Sequence, residues 1–384
     1  MKRDYGFIIL SISVFLLNLS MGLHTSVFNN FAAQEIKLRP DQLGILEAFR
    51  ETPGLLIAFI SALLSFVRKQ YLAMFSFLLA GIGFGFYSRV TGLLDLIYAG
   101  FIWSLGIHLW MTLSPVFTLN FAQADSKGRR LGQINSISAF ASLTAMSFVF
   151  LTGRFIPFRT YYLIAGILPF IGAILVLRIP YRSKLDVDPP SLVFKREYML
   201  YYILNFLEGS RRQVFATFAL FVLTKVYKVP IQHISLLLII NSIMNMIVAP
   251  RAGRLIDRFG ERIILLISYT GALFIFIGYA MTRSTIILSL LYCLDNISIN
   301  FSLALTTYID KISQPGDLSP NISMGVTVNH IAAVTMPIVG GILWERFNYQ
   351  MMFILGASIV LVSIVMASRI RGKRMSVCYN KSEG

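Results

Sequence analysis

Seven charged residues stand inside otherwise apolar stretches of this chain. Glu47, Arg50 and Glu51 share one stretch, Glu208, Arg211 and Arg212 a second, and Asp295 lies in a third. At about 3 kcal/mol each on insertion scales, seven charges facing lipid would cost on the order of 20 kcal/mol, so they must face protein or water. If the stretches are helical, Glu47 is three residues from Arg50 and four from Glu51. Likewise Glu208 is three from Arg211 and four from Arg212, so acid and base share a face. A guanidinium left over from such pairing matches the planar geometry of a carboxylate or phosphate. Arg50 with Arg211 or Arg212 is therefore expected to hold an anionic group of a solute, with Glu47, His108 and Asn241 beside it. The same spacing also allows these charges to pair only with one another, as a gate. Counting 1.5 Å per residue places Glu51, Glu208, Asp295 and His330 near mid-membrane, where carboxylates and imidazoles can carry protons. Asp295 has no basic residue within a turn on its own helix and is the first choice. Trp103 and Trp110 flank His108 and could stack on an organic solute.

The elements that hold these residues follow from composition. With 56% hydrophobic and 14% charged residues among 384, the chain is a polytopic membrane protein. Apolar runs of spanning length cover 5–33, 41–67, 71–87, 93–121, 131–153 and 160–179. Six more cover 197–224, 231–252, 263–281, 285–309, 322–344 and 350–368. Between the two sets lies a polar segment containing Asp186, Asp188, Pro189 and Pro190. The expected architecture is all-α, with twelve transmembrane helices in two six-helix bundles. Residues 1–180 form the first, 181–196 a cytoplasmic linker, and 197–384 the second with a basic cytoplasmic tail.

The formal net charge of +16 would suggest nucleic acid in a soluble protein. Here twenty-two of the 34 lysines and arginines fall on the side of the termini, so the positive-inside rule accounts for the charge without nucleic acid. Both termini are expected to be cytoplasmic in a multi-pass protein of the plasma (inner) membrane. The first apolar run exceeds signal-peptide length and reads as a retained helix. Cys293 and Cys378 give no disulfide framework. No Walker loop, dinucleotide fingerprint, nucleophile arrangement or metal-ligand spacing occurs, so no enzyme activity, cofactor or metal is expected.

Residues 253–262, GRLIDRFGER, join two apolar runs through what reads as a short charged turn. Gly253 would let helices approach, Asp257 and Arg258 would cap a neighbouring helix end, Gly260 would permit the turn, and Arg262 would open the next helix. This GxxxDRxGxR pattern, flanked by two spans, resembles the cytoplasmic loop signature of the major facilitator superfamily of secondary transporters. Residues 127–136, KGRRLGQINS, are similar to the family's loop after the fourth helix, and Pro337, Gly340 and Gly341 fit its eleventh. The first-half echo, ALLSFVRKQ at 62–70, is degenerate. The resemblance implies alternating access, driven by an ion gradient, around a central cavity between the bundles. The expected function is transport of a small polar solute, anionic or zwitterionic, coupled to H+, by a monomer. A lipid or drug exporter is the alternative, weakened because the fourth helix lacks the family's antiporter arginine and the fifth its Gly-Pro pattern. A sensor that no longer transports is the other alternative.

Overall fold

The computed structural model describes residues 2–64, 66–122, 127–179, 194–314 and 317–370. Every regular element among them is helical. The first six helices are α1 (Lys2–Asn30), α2 (Pro40–Leu63), α3 (Lys69–Phe86), α4 (Leu93–Asn120), α5 (Lys127–Thr152) and α6 (Phe158–Leu177). After them come α7 (Met199–Lys225), α8 (Ile231–Phe259), α9 (Glu261–Met281), α10 (Thr285–Ser298), α11 (Leu303–Ile312), α12 (Leu318–Arg346) and α13 (Tyr349–Ser368). A short 3-10 turn, Ile299–Ser302, joins α10 to α11, so the two make one broken span and the total is twelve. Most of the expected linker and the basic tail, with Cys378, lie outside the described residues.

Ten of the twelve spans are long and apolar enough to cross a membrane on composition alone. The two that are not are α2 and α7. Each carries three charges within six residues, so their place in the membrane depends on partners that neutralise those charges. Those partners lie within one turn on the same helix, Glu47 and Glu51 for Arg50 and Glu208 for Arg211, and packing adds Asp295 of α10. In the first half α1 packs on α5 and α6, and α3 on α4 and α6; in the second α13 packs on α9 and α7, and α12 on α7. The halves meet chiefly where α2 lies on α12 and α5 on α8.

An even number of spans returns the chain to the end of the bundle where it began. At the opposite end the halves are sealed. Asn30 Nδ2 donates to the Val229 carbonyl at 2.9 Å, Lys225 Nζ donates to the Leu38 carbonyl, and Arg39 lies 3.8 Å from Glu345. There α2 and α12 touch backbone to backbone: a Cβ on Gly44 would lie 2.1 Å from the Pro337 carbonyl oxygen, and one on Gly341 2.6 Å from that of Pro40. At the end bearing the termini, no described residue comes within 4 Å of such a position on Gly128, Gly132 or Gly253. The bundle is closed at one end and splayed at the other.

Two expected loops are helix. The residues KGRRLGQINS are the first turns of α5, and Gly253–Phe259 the last turns of α8. Neither run contains a proline, and helix ends that project from the bilayer can carry charge in water, so the helices continue until a real breaker appears. In the second case that breaker is Gly260, at φ +81°, whose N–H is bonded to the Ile256 carbonyl at 2.8 Å.

Candidate functional site

Helical spacing makes the first charged cluster. One turn of α2 brings Glu47 against Arg50, which donates to it through Nε at 2.9 Å and through Nη2. The same guanidinium reaches Glu51 at 2.8 Å and stands 5.7 Å from the centre of the Trp103 ring on α4. Ser104 Oγ donates to the Arg50 carbonyl and ties α4 to α2. One turn on, His108 Nδ1 lies 2.9 Å from the Ser104 carbonyl oxygen, so that nitrogen carries the proton and Nε2 is left with its lone pair. The other oxygen of Glu51 is 3.5 Å from His330 Nδ1 on α12. Three donor atoms, one each from Glu51, His108 and His330, thus lie within 4.8 Å of one another. No metal-ligand spacing links them along the chain, which is why none was expected. These three residues come from three helices.

The second cluster repeats the pattern in the other half. Arg211 and Glu208, again one turn apart, form a two-pronged ion pair with bonds of 2.9 and 2.7 Å. Arg211 Nη1 reaches Asp295 Oδ1 on α10 at 3.3 Å, and the guanidinium stands 5.9 Å from the Tyr269 ring. Arg211 and Asp295 are both fully buried, and Asp295 Oδ2 has no hydrogen-bond partner among the described residues. The basis for singling out Asp295, its lack of a basic neighbour, holds along its own helix but not in three dimensions. Each half therefore sets one arginine between two carboxylates, an arrangement with more negative than positive groups.

Between the clusters lies a cavity of 230 Å³. Glu47, Arg50 and Asp295 reach it, with Thr25, Asn29, Thr217 and Asn296 as uncharged polar neighbours. Phe28, Trp103, Phe215 and Tyr292 supply its aromatic walls. Thr25 and Asn29 escaped the sequence reading although a polar pair four apart in a spanning run was a usable signal. Nothing along the chain distinguished Phe28, Phe215 or Tyr292 from core.

The remaining expected residues lie elsewhere. Arg212 is exposed and outside the cavity lining, because the residue after Arg211 is rotated by about 100° around the helix. Asn241 is buried on α8, also outside the lining. Trp110 packs edge-on against Phe77 at 4.9 Å. Asn245 accepts a bond of 2.6 Å from Asn300, an interhelical tie. The expected gating residues are at the splayed end. There Asp257 is exposed and has no polar partner among the described residues, Arg258 lies over its neighbour Phe259 at 5.2 Å, and Gly253 approaches no other helix. Among the described residues, neither Asp257 nor Arg258 caps a neighbouring helix end.

The family model of the Major Facilitator Superfamily matches residues 10–315 and 201–376. A search of curated proteins returns no match to the sequence. Among solved structures, the nucleoside transporter NupG superposes with a TM-score of 0.80 at 16% identity, covering 94% of this chain and 98% of that one. A bacterial homologue of the iron transporter ferroportin, in an inward-facing state, gives 0.76 at 14% identity over 94% and 98%. The D-xylose-proton symporter gives 0.70 at 13% over 96% and 98%.

Proposed function

This chain belongs to the Major Facilitator Superfamily, and from that premise we propose that it is a secondary active transporter of a small polar solute, uncharged or zwitterionic, driven by the proton gradient. The observation that carries the reading is the pair of arginine–dicarboxylate clusters, one in each half, on either side of a central cavity. Rocking of residues 1–180 against 197–384 would expose that cavity to each side in turn. With the lysine- and arginine-rich end in the cytoplasm of a cell bounded by its plasma (inner) membrane, the conformation described is inward-facing. Reporter fusions that place the C-terminus outside would overturn this orientation.

The cavity chemistry narrows the solute. Both guanidinium groups are already held by carboxylates, so an anion would meet more negative than positive charge and would have to displace an internal partner. The lining carboxylates Glu47 and Asp295 instead invite a donor, a hydroxyl or amino group, while Phe28 and Tyr292 offer faces for a ring. A second cavity of 490 Å³ shares Met21 and Thr25 with the first, so what disfavours a lipid or drug exporter is the charge at the cavity, Glu47, Arg50 and Asp295, and not its volume. Nucleosides and D-xylose, named in two of the structural relatives, are uncharged polar ring compounds of suitable chemistry. Asp295 is the proposed proton acceptor, since Glu208 holds the shared arginine by two bonds and Asp295 by one.

The test is uptake by purified monomer in proteoliposomes, with labelled nucleosides, pentoses, hexoses and amino acids, under an imposed pH gradient. Accumulation that collapses with a protonophore and ignores sodium supports the reading. Binding without counterflow would identify a sensor, and preference for organic anions would overturn the proposed solute class.

A further inference from the structure

None of Glu51, His108 and His330 lines the central cavity, and of the three only Glu51, through its pairing with Arg50, enters the transport reading above. We propose that these three residues form an exchangeable binding site for a borderline divalent transition metal, such as Zn2+, that joins the two halves of the molecule. Two imidazoles and one carboxylate are a donor set suited to Zn2+, Fe2+ or Co2+. They are poorly suited to Mg2+ and Ca2+, which prefer oxygen ligands throughout.

Four features of the surroundings support a built site. The proton on His108 Nδ1 is held by the Ser104 carbonyl at 2.9 Å, which leaves Nε2 as the metal-facing lone pair, the arrangement by which protein backbones commonly orient ligating histidines. Glu51 gives one oxygen to Arg50 at 2.8 Å, so its carboxylate is oriented, and turns the other toward His330. His330 Nδ1 is buried, and its one polar neighbour among the described residues is this Glu51 oxygen, at 3.5 Å. Gly54 provides the room: a Cβ there would lie 2.5 Å from His108 Nε2 and 2.8 Å from His330 Nδ1. Both nitrogens therefore converge on the space that a side chain at residue 54 would fill.

Bound at about 2.0–2.2 Å from each ligand, a tetrahedral ion would need its donors about 3.3–3.6 Å apart. The present separations, up to 4.8 Å, require a contraction of up to about 1.5 Å, within reach of side-chain rotations. Three protein ligands leave a fourth position for water, unlike a closed structural site with four protein ligands. Glu51 and His108 stand on α2 and α4, whereas His330 stands on α12 of the other half. Separation of α2 from α12 would break the set, so the metal favours the conformation described here.

The experiment uses full-length, tag-free protein in detergent, titrated with Co2+ and monitored by visible absorption, with Zn2+ added as competitor. The expected result is one Co2+ per chain, with the intense visible bands of low-coordinate cobalt that Zn2+ abolishes. Zn2+ should also raise the Tm of the wild type by mass action, and Mg2+ should not. His330→Asn, His108→Gln and Glu51→Gln should each weaken Co2+ binding about tenfold or more. Should a ligand variant not remain monodisperse on gel filtration, Gly54→Ala decides instead, because it keeps all three ligands and occupies the space where they converge; the same loss is expected. Absence of Co2+ binding by the wild type, or undiminished binding by the variants, overturns the proposal. Neither outcome depends on transport, so the site and the solute reading fail separately.

Discussion

Asp295 reaches Arg211 from a different helix through a single oxygen at 3.3 Å, while its second oxygen is buried without a partner among the described residues. Glu208 grips the same guanidinium through two bonds. One cation is thus shared unequally between two acids, and the less firmly held acid faces the cavity. Asp295→Asn is accordingly expected to abolish gradient-driven accumulation while sparing counterflow exchange, which moves no net proton. Accumulation at the wild-type level in the variant would remove Asp295 as the carrier.

Arg211 neutralises two buried acids, so its removal leaves both without compensation. Arg211→Met should cost about 3–5 kcal/mol of stability, the range for breaking one side of a buried ion pair. The triple change Arg211→Met, Glu208→Gln and Asp295→Asn should recover most of that loss, because no isolated charge remains. Thermal unfolding in detergent reads both; a triple variant as unstable as the single one would show that shape, not charge, makes Arg211 necessary.

The seal opposite the termini rests on backbone contact at Gly44 and Gly341. A methyl group at either would fall 2.1 Å or 2.6 Å from a carbonyl oxygen, well inside van der Waals contact, and backbone cannot swing away as a side-chain tip can. Gly44→Ala and Gly341→Ala should shift the population toward the state open at that end. In a background lacking Cys293 and Cys378, Thr217→Cys should then react faster with an impermeant thiol reagent applied from that side. Unchanged labelling would place the seal elsewhere.

Asp257 is exposed and has no polar partner among the described residues, so Asp257→Asn should change stability by no more than a surface substitution does, about 0.5 kcal/mol. Transport should nevertheless slow, because the carboxylate would find a helix end only when the splayed ends close. Wild-type transport by this variant would make the motif a helix terminus and nothing more.

Local spacing along the chain was enough for several of these features. Glu47 meets Arg50 and Glu208 meets Arg211 because residues three apart share a helix face whatever the helix packs against. The twelve spans were legible for a similarly local reason, since a run of about 20 apolar residues spans a bilayer wherever it sits. Even the break after α8 was written in Gly260, where the backbone takes a positive φ that other residues rarely adopt.

What tertiary structure alone decided was which faces meet. An apolar helix turned toward lipid reads the same as one turned toward protein, so hydropathy does not report rotation about the helix axis or the choice of neighbour. That is why adjacent Arg211 and Arg212 looked equivalent, although packing buries one between Glu208 and Asp295 and leaves the other exposed. It is also why Glu51, His108 and His330 showed no common spacing: they become neighbours only when α2, α4 and α12 converge above Gly54. The residues in each pair or cluster were set by the sequence, whereas contacts between helices required the rotation and depth that whole-bundle packing imposes.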